Sequence, residues 1–194
     1  MAEVELPNPG ELEELKGTKF TKRVALTTAI FAVMLAITSL GGNNAMKEML
    51  LAQQQSSDQW AFYQSKAVRE HLYKLQKLQL ETNLIEKRKS MSPELLKHYE
   101  DSIKKMNEEE IRFRTEKKEI ETEAKKLETD RDVNKKKDPY FDYAEVLLQI
   151  AIVMASISIL SGSVPVFFIS VFAAVLGGLL SLNGFLLLIR IPFL

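Results

Sequence analysis

Residues 145–190 read EVLLQIAIVMASISILSGSVPVFFISVFAAVLGGLLSLNGFLLLIR, and between Glu145 and Arg190 there is no charged side chain. The 44 residues of Val146–Ile189 would reach about 66 Å as one helix, twice the ~30 Å hydrocarbon core of a bilayer. The run must therefore fold back. Gly162-Ser163-Val164-Pro165 supplies the break, because glycine and proline punctuate helices. One transmembrane helix is expected over 144–162 and another over 165–190, joined by a very tight turn. Small residues recur four apart on both: Ala151 and Ala155, Ala173 and Gly177, Ala174 and Gly178, Gly177 and Ser181. Such spacing lets helix backbones approach closely in lipid, where apolar side chains gain nothing from avoiding solvent. Ala151, Ala155, Ala173, Gly177, Gly178 and Ser181 are therefore the expected helix-packing positions, within one subunit or between two.

Working outward, the remaining apolar segment lies near the amino end. No charge occurs between Arg23 and Lys47, and Val24–Leu40 is strongly apolar. Its length, about 26 Å as helix, is near the lower limit for a span, and Gly41-Gly42 completes it. A signal peptide is the competing reading, but residues 1–23 are too long for its charged region and residues 40–45 make a poor cleavage site. The expected division is a polar segment over 1–22 and a first transmembrane helix over 23–42.

The whole-chain averages conceal this layout. The 194 residues carry 26 basic and 26 acidic groups, 46% apolar residues and a mean hydropathy of −0.09. Those values suit a soluble domain, yet 41 of the charges lie in residues 43–143. Charge this uneven excludes a single soluble core and describes a membrane protein with a polar insert. Zero net charge argues against nucleic acid, and the absence of cysteine excludes disulfides and thiolate chemistry.

The insert, residues 43–143, is helical by pattern. Ser90-Met91-Ser92-Pro93-Glu94 reads as a stop and restart, with Ser92 as N-cap and Pro93 at the first helical position. Before this turn, Val68, His71, Leu75, Leu78, Thr82 and Ile85 alternate by three and four. After it, Leu96, Tyr99, Ile103, Met106, Glu110, Phe113, Lys117, Ile120, Ala124 and Leu127 do the same. Both series have the spacing of a coiled-coil seam. The arms, 43–90 and 93–141, are nearly equal, each about 72–74 Å as helix, so they can pair antiparallel. The expected fold class is an all-α membrane protein. Three transmembrane helices carry a long antiparallel coiled-coil α-hairpin between the first and second, turning near 90–93.

One narrow seam buries little surface, and the first arm has further apolar groups in Leu72, Tyr73 and Leu80. More copies of the chain are the simplest source of the missing contacts. The sole tryptophan lies in Asp58-Gln-Trp-Ala-Phe-Tyr-Gln-Ser-Lys66, which places aromatics on two helix faces. Trp60, Phe62, Tyr63, Lys66, Arg69, His71 and Tyr73 are the expected oligomer contact, since interface cores are enriched in aromatics and arginine.

Catalytic and metal readings are weaker. His71 and His98 fall some 20 Å apart along a hairpin, too far to share a metal or a proton. Glu108-Glu109-Glu110 point 100° apart in turn and cannot converge on one ion. Lys87-Arg88-Lys89 at the tip could meet an acidic protein partner, and Lys135-Lys136-Lys137 could meet lipid headgroups. No cofactor and no catalytic residue is expected.

The segments LLAQ at 50–53, SDQWAFYQSK at 57–66, EHLY at 70–73 and EVLLQIAIVMAS at 145–156 resemble an uncharacterised family of bacterial membrane proteins, domain of unknown function 4337. The resemblance covers most of residues 20–190 and implies membrane location and architecture, with no activity to carry over. Lys16, Lys19, Lys22 and Arg23 precede the first span and only Arg190 follows the last, which argues for a cytoplasmic amino end. The hairpin would then be periplasmic, with Arg131 and Lys135–Lys137 opposing that orientation. The reading is a non-enzymatic, homo-oligomeric scaffold in the bacterial inner membrane. A channel or transporter subunit is the alternative, weakened by spans that offer only hydroxyls and Asn183 as polar groups.

Overall fold

The computed structural model describes the backbone of residues 9–189 and the side chains of residues 19–189. Lys16 and Arg190, on which the orientation reading partly rests, lie outside the described side chains. The described residues are helical, in the order α1 (Pro9–Lys87), a 3-10 turn (Arg88–Ser90), α2 (Pro93–Ser161) and α3 (Val164–Leu186), without a strand. Each helix contains a stretch long and apolar enough to cross a membrane.

The restart at residue 92 follows from capping chemistry. The Leu95 N–H donates to Ser92 Oγ at 3.3 Å and the Leu96 N–H to the Ser92 carbonyl at 3.0 Å, while Pro93 has no N–H to satisfy. At the second turn Gly162 takes φ +63°, a conformation that favours glycine. Ser158 Oγ donates to the Ser163 carbonyl at 3.0 Å and holds the turn against the helix before it. Helix α2 continues through Pro139, at which one backbone donor is missing.

Two compact units result: residues 1–48 with 133–194, and residues 49–132. In the first, the apolar core comprises Phe31, Leu148, Ala151, Ala173 and Ala174, with Met34, Leu35, Ile152 and Val171 packed against it. Most of the buried positions are small. Ala144, Ala151, Ala155 and Ser158 of α2 and Ser170, Ala173, Ala174, Gly177, Ser181 and Gly184 of α3 are all buried. The large side chains face outward instead: Leu26, Val33 and Ile37 on α1, Val153 and Leu160 on α2, Phe168, Phe172 and Leu179 on α3. A protein folded in water does the reverse.

Helix α1 does not end at Gly41-Gly42, where the first span was expected to close. These glycines admit rings. A Cβ at Gly41 would lie 2.6 Å from Phe185 Cζ and 2.7 Å from Phe141 Cε1. Phe141, buried, packs edge-on against Phe185 with centroids 4.9 Å apart.

Within the second unit, contacts pair early residues of α1 with late residues of α2. Gln53 meets Arg131, Lys66 meets Glu116, and Lys77 meets Asn107 and Glu110, so the two segments run antiparallel. The expected stripe on the second segment faces this seam: Glu110, Phe113 and Ala124 are buried and Leu96, Tyr99, Ile103, Met106, Lys117, Ile120 and Leu127 half-buried. The expected stripe on the first segment does not. Val68, His71, Leu75, Leu78, Thr82 and Ile85 are all exposed, and the seam is instead formed by Ala52, Ser56, Tyr63, Ala67, Glu70, Tyr73, Lys77, Leu80 and Leu84. The reason is charge. Glu110 and Lys117 interrupt the second stripe seven residues apart, and they are met by Lys77 and Glu70, also seven apart and in reverse order. A reading of apolar residues alone selects the more apolar face of α1, which is the outer one.

Candidate functional site

The seam of the second unit is built around a chain of alternating charges. Glu70, 6% exposed, accepts from Lys117 Nζ at 2.5 Å and Arg114 Nε at 3.1 Å. Arg114 Nη2 also donates to Glu110 Oε1 at 2.6 Å, and Glu110, 4% exposed, accepts from Lys77 Nζ at 2.5 Å. Arg114 thus bridges the two carboxylates, and Lys77 reaches on to Asn107 Oδ1. The hydrogen bond from Lys117 holds the Glu70 carboxyl below the usual glutamate range, and the one from Lys77 does the same for Glu110. Both carboxylates outweigh their own desolvation through charge-assisted bonds.

One turn along, Phe113 is 2% exposed and stacks on Tyr73, with centroids 5.5 Å apart and planes 16° apart. Three cations surround its ring: Arg112 at 4.7 Å, Lys66 at 5.2 Å and Arg69 at 5.8 Å from the centroid. Lys66 also pairs with Glu116 at 2.5 Å. Trp60 donates from Nε1 to Glu128 Oε1 at 2.9 Å and meets Tyr63 edge-on, with Lys117 Nζ 5.5 Å from the Tyr63 centroid.

The seven residues expected at an oligomer contact therefore divide. Trp60, Tyr63, Lys66 and Tyr73 are engaged across the seam of their own chain, and Arg69 leans on Phe113. Phe62, 59% exposed, and His71 lie on open surface. The surface around His71 continues through Val68 (58% exposed), Leu72 (53%), Leu75 (63%), Leu78 (57%) and Ile85 (80%), whereas Phe62, six residues before Val68, stands about 120° round the helix from it. Glu70 and Lys77 follow Val68 and Leu75 by two residues, about 200° round the helix, so inner and outer faces are opposite.

In the first unit, Ala151, Ala155, Ala173, Gly177 and Ser181 are buried and Gly178 half-buried, all within one chain. A Cβ at Gly177 would stand 3.0 Å from Leu148 Cγ and 3.1 Å from the Ala144 carbonyl, and one at Gly178 2.8 Å from Met34 Cε. The buried polar groups are engaged. Thr38 Oγ1 donates to Ser181 Oγ at 2.8 Å, and Asn183 bonds Ile189 through both amide atoms, capping the end of α3. Among the described residues no cluster of histidine and carboxylate is placed to hold a metal.

The family model for a domain of unknown function, DUF4337, matches residues 20–187. The chain belongs to the DUF4337 family. That match takes in the three apolar stretches and the whole charged unit, so the DUF4337 region is coextensive with nearly all the structure just described. No curated protein and no solved structure matches the chain.

The seam network was legible in part. Phe113 follows from the second-segment stripe, whereas its stack on Tyr73 and the cations Lys66, Arg69 and Arg112 around it do not, and Glu70 and Lys77 were missed because polar residues of the first segment were read as gaps.

Proposed function

We propose that this DUF4337 protein is a non-enzymatic, homo-oligomeric scaffold of the bacterial inner membrane. Its three apolar stretches span the bilayer, and its charged antiparallel helical unit, a coiled-coil hairpin, forms the part outside. One observation carries the assembly: the chain itself covers the face of the first segment that carries Glu70, Tyr73 and Lys77, and leaves the more apolar opposite face open. An exposed apolar stripe in an aqueous compartment is an interaction surface or an aggregation liability. Membrane insertion is supported by the exposed large side chains and buried small ones of the first unit, the packing that suits lipid.

Lys19, Lys22 and Arg23 before the first span favour a cytoplasmic amino end and a periplasmic charged unit. A pore or transport pathway draws little support from the spans, since Asn183 and Thr38 are spent on capping and helix packing. Light scattering of the detergent-solubilised full chain tests the reading. A protein mass that is a multiple of 22.1 kDa is expected; a monomer at all concentrations refutes it.

A further inference from the structure

We infer that the outer stripe of α1 is the contact between two copies of this chain, packed in parallel along Val68, Leu75, Leu78 and Ile85. The inference rests on the scaffold reading and names its surface. Val68, His71, Leu75, Leu78, Thr82 and Ile85 alternate by three and four over 18 residues, the spacing that a second helix with the same stripe complements layer by layer. The stripe lies on the far side of the helix from the intrachain seam, so both can be filled at once without displacing Glu70 or Tyr73, while Lys77, held by Glu110, stands at the edge of the groove.

The area fits. With Val68, Leu72, Leu75, Leu78 and Ile85 each more than half exposed, each copy offers on the order of 500 Å² of apolar surface, and a pair would bury about 1,000 Å², the threshold for a specific contact. Beside Leu75 and Leu78 the surface is grooved, bordered by His71, Lys74, Lys77 and Glu81, and the second copy would seat its side chains there. Copies held in one bilayer by the span that precedes each stripe present it in the same chain direction, which selects parallel over antiparallel pairing. That register brings Glu81 near Glu86 of the partner subunit at the rim, a solvated like-charge contact too weak to outweigh the buried stripe.

The native chain has no cysteine, so single substitutions report pairing directly. Val68→Cys, Leu75→Cys and, as a control on α2, Ile111→Cys are oxidised in native membranes carrying the full chain. Ile111 is 50% exposed and off the stripe. Disulfide dimers at 68 and at 75 are expected in at least tenfold excess over those at 111. If Val68→Cys instead pairs only with co-expressed Ile85→Cys, the parallel arrangement is overturned. If no stripe position links while light scattering still finds an oligomer, the surface is wrong and the scaffold reading survives. A monomer by light scattering removes both.

Discussion

Replacing Phe113 by alanine in the full chain removes the largest buried side chain of the charged unit, and replacing Ile111, two residues away, removes none. Phe113 is 2% exposed and stacked on Tyr73, whereas Ile111 is 50% exposed on the opposite face of α2. Truncating a buried phenylalanine costs about 3–5 kcal/mol, and a two-helix seam open to solvent on both sides collapses enough to put this case near 3. Losing the ring stack is already included in that figure. Ile111→Ala should lie within about 0.5 kcal/mol of the native chain. The assay is tryptic cleavage within 112–126, a run dense in lysine and arginine, which under fast reclosing tracks the open population of the unit. Cleavage of Phe113→Ala should rise about a hundredfold, at 1.4 kcal/mol per decade, up to the limit set by the unit's own stability. Equal sensitivity of the two variants would refute the seam and with it the assignment of the outer face.

Other outcomes follow from the same geometry. Gly177→Leu drives a side chain into the Ala144 carbonyl and Leu148, at a cost of about 1–3 kcal/mol; its thermal midpoint in detergent should fall, while Val175→Leu, on the exposed face, leaves it unchanged. Glu110→Ala strips Lys77 and Arg114 of a shared partner; both cations reach water, so the loss is about 1–2 kcal/mol, below the range for fully buried pairs. Because the Glu70 and Glu110 carboxyls are held below their ordinary range, their contribution is complete above about pH 4.3 and is lost as pH falls through the folded values. Acid unfolding followed by circular dichroism should therefore weaken in a Glu70→Gln, Glu110→Gln double variant, and an unchanged acid limb would contradict the network's role. Met91→Cys, at the turn, should be labelled by an impermeant thiol reagent once the outer membrane is opened; labelling only after the inner membrane is broken reverses the orientation.

Much of the fold was legible because it depends on gross contrasts. The Gly162–Pro165 break and the Ser92-Pro93 restart each have a local physical cause, and the helices do break there, α2 running from Pro93 to Ser161 and α3 starting at Val164. Of the small residues singled out by their spacing on α2 and α3, Ala151, Ala155, Ala173, Gly177 and Ser181 are buried, because a small side chain lets two helix backbones approach. The seam of the first segment was not. Its inner face contains Glu70 and Lys77, which look like solvated residues until Lys117 and Glu110 are brought opposite them. Matching polar interruptions across the turn, Glu70 with Lys117 and Lys77 with Glu110, would have given the register from sequence. Trp60 was drawn to an intersubunit role by its aromaticity, and its Nε1 hydrogen bond to Glu128 explains why it turns inward. The rings that pack on Gly41, Phe141 and Phe185, lie about 100 and 140 residues away in sequence. No local pattern carries that information.

The central claim is that the charged inner face of the first segment is filled by its own chain and that the apolar outer face holds a second copy. Leu75→Glu combined with Leu78→Glu tests it most directly, because both side chains are more than half exposed and neither supports the seam. Size-exclusion with light scattering in detergent should show the native chain as a multiple of 22.1 kDa and the double variant at 22.1 kDa, with helix content by circular dichroism unchanged. A double variant that keeps the native mass would contradict the account.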